Sequence, residues 1–92
     1  IKHFVKLGVD PHLTADLMLY NLEVAQSFSL EKNVPETFYK SMGNSFNDLV
    51  QFVSLNGLLS VFKDRIVTCY TFAQNHDWPN REDFSKSLDI ID

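Results

Sequence analysis

Between Leu49 and Phe62 the chain carries no charged residue, and after the interruption Lys63-Asp64-Arg65 it carries none again from Ile66 to Asn75. Within this stretch Leu58, Leu59, Phe62, Ile66, Cys69, Tyr70 and Ala73 recur at the i, i+3, i+4, i+7 spacing of one helix face. Val61, Val67 and Phe72 add apolar groups on other faces. A helix that is apolar nearly all round belongs inside a bundle, enclosed by other helices. The run falls short of the about 20 apolar residues that span a bilayer. The pattern predicts an all-α fold, a small helical bundle wrapped on a central apolar helix from Leu58 to Gln74, with Arg65 embedded in it.

The 92 residues suffice for a single domain, 1–92, and for only a modest core. A chain of this size is expected to use a partner or a second copy of itself. Eight Phe is many for this length, and aromatic side chains place large areas in a core or in a groove that receives a partner. The net charge of -4, with no Lys/Arg cluster, argues against nucleic acid and against an anionic membrane surface. A single cysteine, Cys69, allows no internal disulfide, which speaks against a stapled secreted framework. Residues 1–9 include two Lys but no long apolar core of a signal peptide. The expectation is an intracellular, cytoplasmic protein.

Taken in order, residues 1–9 read as a short strand or a first helical turn, broken by Gly8. Asp10-Pro11 is a helix start, because Asp caps free N–H groups and Pro suits the first helical position. Leu13, Leu17, Tyr20 and Val24 then form a stripe, flanked by Met18, Leu22 and Ala25, and predict a helix over 10–28. After a linker over 29–33, Asn33, Pro35 and Glu36 resemble a capping box. Phe38, Met42, Phe46, Leu49 and Val53 predict the helix that follows, over 36–53. Gly43 inside it costs about 1 kcal/mol against Ala, which points to something packed very close. Asn56-Gly57 marks a turn before the central helix. Residues 75–80 form another turn with the only Trp, Trp78. Asn80 with Asp83 caps a final helix over 81–91 bearing Phe84, Leu88 and Ile91.

Catalytic chemistry finds little footing, and neither an enzyme nor a cofactor is expected. His3, His12 and His76 stand at no metal-ligand spacing from one another or from Cys69. Cys69 and His76 are seven residues apart, roughly 10 Å along a helix, too far for a thiolate–imidazolium pair. Cys69 reads as a small buried apolar group. Asp77, Glu82 and Asp83 read as a solvated turn and helix start. Gly8, Gly43 and Gly57 are isolated and make no phosphate loop. A surface remains. Amphipathic helices are received in apolar grooves with one ion pair fixing register, and Arg65 is the residue for such a pair, unless it sits at a helix end and reaches for water.

Several stretches together resemble the Bcl family of apoptosis regulators. Leu13 to Leu22 is similar to the family's fourth homology motif, with Asp16, Tyr20 and Leu22 in place. Phe38 to Asn47 is similar to the third motif, with Asn44 where Asp is usual. Val61 to Phe72 resembles the first motif, with Phe62-Lys63-Asp64 running directly into Arg65-Ile66-Val67 and the usual Asn-Trp-Gly absent. An alternative register places Asn47-Asp48-Leu49 and Asn56-Gly57 on that motif and loses the arginine. Gln74 to Trp78 is similar, less specifically, to the second motif. Family members run to about one and a half times this length, so the resemblance is to a shortened, virus-like member.

The resemblance implies a Bcl-like bundle that inhibits cell death by binding the amphipathic death-motif helix of pro-apoptotic proteins in an apolar groove. Phe46, Leu49, Phe52, Leu59 and Phe62 would receive the ligand's apolar anchors, and Arg65 would pair with its Asp. The opposite sense, with Phe38 to Asn47 as the ligand of another member, is disfavoured by Asn44. Association with the mitochondrial membrane is not evident and would come through partners. Two other expectations stand beside this one: a death-fold-like helical adaptor, and a self-associating domain that forms a homodimer.

Overall fold

The computed structural model describes residues 10–87 and 89, and in it four helices follow one another: α1, Pro11–Ser29; α2, Glu36–Leu55; α3, Leu59–Asn75; and α4, Glu82–Ser85. The described residues are all-helical apart from turns and linkers, as the periodicity predicts. The expectations for residues 1–9, and for Leu88 and Ile91, lie outside the described residues.

The start of α1 is set as its sequence implies. Pro11 takes the first helical position, and the Asp10 carboxylate accepts a hydrogen bond from the His12 N–H at 3.0 Å. The other two expected caps do not form. Pro35, not Asn33, occupies the position before α2, and no side chain caps it. Arg81 precedes α4, again without a side-chain cap. The Asn80 amide is engaged elsewhere, donating to the Tyr39 carbonyl of α2 at 2.7 Å and to the Asp83 carboxylate at 3.2 Å. Of the helix expected over 81–91, the described residues show Glu82–Ser85 as helix, Lys86 and Ser87 in a turn and Asp89 again helical.

The exits of α2 and α3 close in the same way. At the end of α2, Gly57 has φ +67°, its N–H bonds to the Ser54 carbonyl, and the Leu58 N–H reaches back to Val53. At the end of α3, Asp77 has φ +50°, its N–H bonds to Gln74, and the Trp78 N–H reaches back to Ala73. This double hydrogen-bond pattern with a left-handed residue is the Schellman motif. The second instance directs Trp78 inward. Its ring lies 5.0 Å from Tyr39, 5.7 Å from Phe84, 5.9 Å from Phe72 and 6.1 Å from Phe38, an aromatic cluster that joins α2, α3 and α4.

The core is built from Ala15, Leu19 and Leu22 of α1, Phe46, Leu49, Val50 and Val53 of α2, Phe62, Ile66, Cys69 and Ala73 of α3, with Trp78 and Phe84. Its centre differs from the expectation. The most extensively packed helix is α2; α3 also meets all three others, but it buries one stripe and leaves Val61 and Val67 exposed. Asp83 of α4 packs against Gly43 of α2. A Cβ there would stand 3.1 Å from both Asn80 Nδ2 and Asp83 Cβ, so the close approach expected at this glycine is present. Asn47, one turn on, donates to the Asp83 carbonyl at 3.0 Å and accepts from the Ser87 hydroxyl.

Asp tolerates the left-handed region better than most residues but less well than Gly. Asp77→Gly should therefore stabilise the fold by about 0.5–1 kcal/mol, read as a higher urea midpoint at unchanged m-value. A fall in the midpoint would mean that the Asp77 side chain contributes more than its backbone costs.

Candidate interaction surface

Helix α1 has apolar side chains on two opposite faces. One stripe, Ala15, Leu19 and Leu22 with Gln26, is buried against α2 and α3. The other, Leu13, Leu17, Tyr20, Val24 and Phe28, points away from the core, and its members are 55%, 55%, 59%, 49% and 48% exposed. At 100° per residue these five fall within about 80° of arc. The stripe on which the helix over 10–28 is recognised in the sequence is thus the outer one. The inner stripe is shorter, contains an alanine and a glutamine, and carries a weaker periodic signal.

The rotation of α1 is held by polar groups on its flank. Arg65 of α3 donates to Glu23 through Nε at 3.0 Å and Nη2 at 2.9 Å, and to Asp16 through Nη1 at 2.5 Å. Its Cζ lies 6.0 Å from the Phe62 ring centroid. The two carboxylates hold the guanidinium protonated even more firmly than usual, Glu23 contributing most. Three residues beyond Glu23, the buried Gln26 side chain donates to the Cys69 carbonyl at 2.9 Å. Asp16, Glu23 and Gln26 thus tie one side of α1 to α3. A sequence signal for this clamp existed. Asp16 and Glu23 are the only charged residues of α1, they stand two turns apart on one side, and an arginine within an apolar helix needs carboxylates.

The residues expected to form a groove are distributed as follows. Phe46 and Leu49 are fully buried on α2, and Phe62 is 2% exposed on α3. Phe52 and Leu59 are partly buried and pack against the core. Arg65 is engaged with α1. The structure therefore turns Phe46, Leu49 and Phe62 into the core, packs Phe52 and Leu59 against it and places Arg65 at the α1–α3 seam. Between α1 and α2 lies a cavity of about 200 Å³ lined by Met18, Asn21, Leu22, Met42, Ser45 and Asp48, smaller than the about 300–1,000 Å³ of typical small-molecule sites.

A family model matches residues 1–92. The chain belongs to this family, DUF6155, a family of unknown function. No curated protein and no solved structure gives a match. The likeness to the Bcl family rests on the motifs themselves.

Among the described residues no group of three or more His, Cys, Asp or Glu is placed to hold a metal ion, and no helix is long and apolar enough to cross a membrane. His76 is exposed and stacks on Phe72 at 4.1 Å. Cys69 is 1% exposed. Burial pushes its thiol up to about 12, with the Glu23 carboxylate adding to the effect and Arg65 opposing it.

Two predictions follow from this seam. Replacing Arg65 with Ala leaves two carboxylates facing each other and should cost about 1–2 kcal/mol, since the groups are partly exposed and screened. Asp16→Asn/Glu23→Gln in the same chain should return part of that loss, and added salt should shrink it; a salt-independent urea midpoint would refute an electrostatic clamp. Cys69 acts at high pH. Its folded-state value lies above the about 8.5 of a free thiol, so the neutral thiol favours the fold. That contribution is complete below about pH 8.5 and is lost as pH rises toward 12. Stability of the native chain should fall more steeply with pH across this window than that of Cys69→Ala, by up to about 1.4 kcal/mol per unit. Parallel pH profiles would exclude the thiol as the cause.

Proposed function

We propose that the chain is a protein-interaction module, with no catalysis of its own, that docks an amphipathic helix of a partner on the outer face of α1. The observation that carries this reading is the run of five half-exposed large apolar side chains from Leu13 to Phe28, with no charged side chain among them on that face. Single exposed leucines are ordinary, but a contiguous apolar patch on a small domain marks an interaction site. The partner fitting it is a helix with its own uncharged stripe at i, i+3/i+4, i+7.

The Bcl-like reading places the same kind of ligand between α2 and α3 instead. It asks Phe46, Leu49 and Phe62 to turn out of the core, at about 1.5–3 kcal/mol for each side chain re-exposed, and Arg65 to release two carboxylates. The α1 face demands neither change. The motif order along the chain supports the Bcl-like reading, and the accessible surface supports the α1 reading. Their outcomes differ in one assay.

Fluorescence polarisation with labelled amphipathic helical peptides, death-motif peptides of pro-apoptotic proteins among them, should show saturable binding in the range of about 1–100 µM. Leu17→Glu should weaken it at least tenfold while leaving the helical circular dichroism intact. Binding that is indifferent to Leu17→Glu but lost when the peptide's Asp is changed to Ala would move the site to Arg65 and the Bcl-like groove. No binding by any peptide would remove both placements.

A further inference from the structure

We infer that the helix received by the outer face of α1 is α1 of a second copy of this chain, packed antiparallel about a two-fold axis beside Tyr20. The inference rests on the proposed docking role of that face and names its occupant.

Three observations carry it. The first is area. Roughly half of each of the five stripe side chains is exposed. With about 150–250 Å² for each aromatic side chain and less for Leu and Val, the stripe presents at most about 500 Å². Two such faces bury at most about 1,000 Å², at the lower bound of a specific interface. A modest dimer is expected, with dissociation on the order of 10–100 µM. The second is self-complementarity. The stripe is apolar throughout, so a like surface meets it without leaving a charge unpaired, and an isologous contact uses the same patch twice. Its spacing is also nearly symmetric about its middle. Placing Leu13 against the partner's Phe28 puts Leu17 against Val24 and brings the two Tyr20 side chains together at the axis. Each of these pairs matches large apolar groups.

The third concerns the flank of the stripe. The flank that carries Asp16 and Glu23 is already neutralised in part by Arg65, so the clamp stays inside each protomer and does not have to be broken for the faces to meet.

The test is sedimentation equilibrium of the full chain up to about 0.5 mM, with variants that carry one added cysteine on the same face. The mass should rise from 10.6 kDa toward twice that value, and Leu17→Glu should raise the dissociation constant at least tenfold with its helical circular dichroism unchanged. Under mild oxidation Tyr20→Cys should form a disulfide-linked dimer. Leu13→Cys should not, because the two Leu13 positions lie about 22 Å apart along the antiparallel pair. Cys69 is buried and does not compete. A constant monomer mass overturns the inference, as does a dimer indifferent to Leu17→Glu, or cross-linking at Leu13→Cys in place of Tyr20→Cys. A monomer that still binds helical peptides in a Leu17-dependent way would overturn only the second copy and leave the docking role standing.

Discussion

The clamp between Arg65 and the carboxylates of Asp16 and Glu23 fixes how α1 is turned about its own axis. Hydrophobic burial is non-directional, and α1 offers it two faces. The contacts that distinguish them are polar. Arg65 holds Glu23 through two nitrogens and Asp16 through a third, and Gln26 finds the Cys69 carbonyl a turn further on. A fork of this kind specifies geometry as well as energy. With α1 so oriented, Ala15, Leu19 and Leu22 close the core over α2 and α3, and the larger stripe is left outside.

Magnitudes show that the clamp does not act alone. Leaving about 500 Å² of apolar surface in water forgoes roughly 12 kcal/mol at about 25 cal/mol per Å². Turning the inner stripe outward instead would expose two leucines and an alanine and forgo roughly half of that. The difference exceeds the 1–2 kcal/mol available from a half-exposed ion pair. Two things reduce it. Small residues such as Ala15 let α1 approach its neighbours closely, which adds dispersion contacts that area does not count. Covering the outer face in a second contact removes most of the rest. The proposed contact with a second copy would thus account for an orientation of α1 that burial within one chain does not favour. The same reasoning explains why a chain with an ordinary apolar fraction supports a core of only modest size.

Features written as local chemistry were legible in the sequence. Asp10-Pro11 starts α1, Asn56-Gly57 ends α2, and Gly43 marks the close approach of α4, because each depends on one or two residues and their own backbone. Features that depend on competition between faces or partners were not. The stripe from Leu13 to Val24 has the stronger period, yet period reports amphipathicity and not which side meets the core. Asn80 has the right spacing for a cap, but its amide is captured by the Tyr39 carbonyl, forty-one residues away in sequence. Leu58 to Gln74 is rich in apolar residues on several faces, but Val61 and Val67 find no neighbour among the described residues that buries them, and the centre passes to α2. Of the six groove residues, Phe46, Leu49 and Phe62 are turned into the core, and Phe52 and Leu59 pack against it. Their inward orientation could not be read from spacing.

Arg65 shows how one residue type supports two physical readings. An arginine in an apolar helix demands an anion, and the motif-based reading supplies it from a ligand's Asp. Here Asp16 and Glu23 supply two anions from within the chain, held in place by the packing of α1. An incoming helix with a single Asp would have to displace groups that are tethered at high effective concentration and make three hydrogen bonds between them. It would gain at most the exchange of one carboxylate for another. A helix that docks on the outer face of α1 meets no such competitor among the described residues, because the five large side chains there are uncharged and about half-exposed. The internal pairing of Arg65 thus does more than fasten α1 to α3. By satisfying the arginine, it takes the seam out of competition for ligands and leaves the outer stripe as the surface with unmet demand.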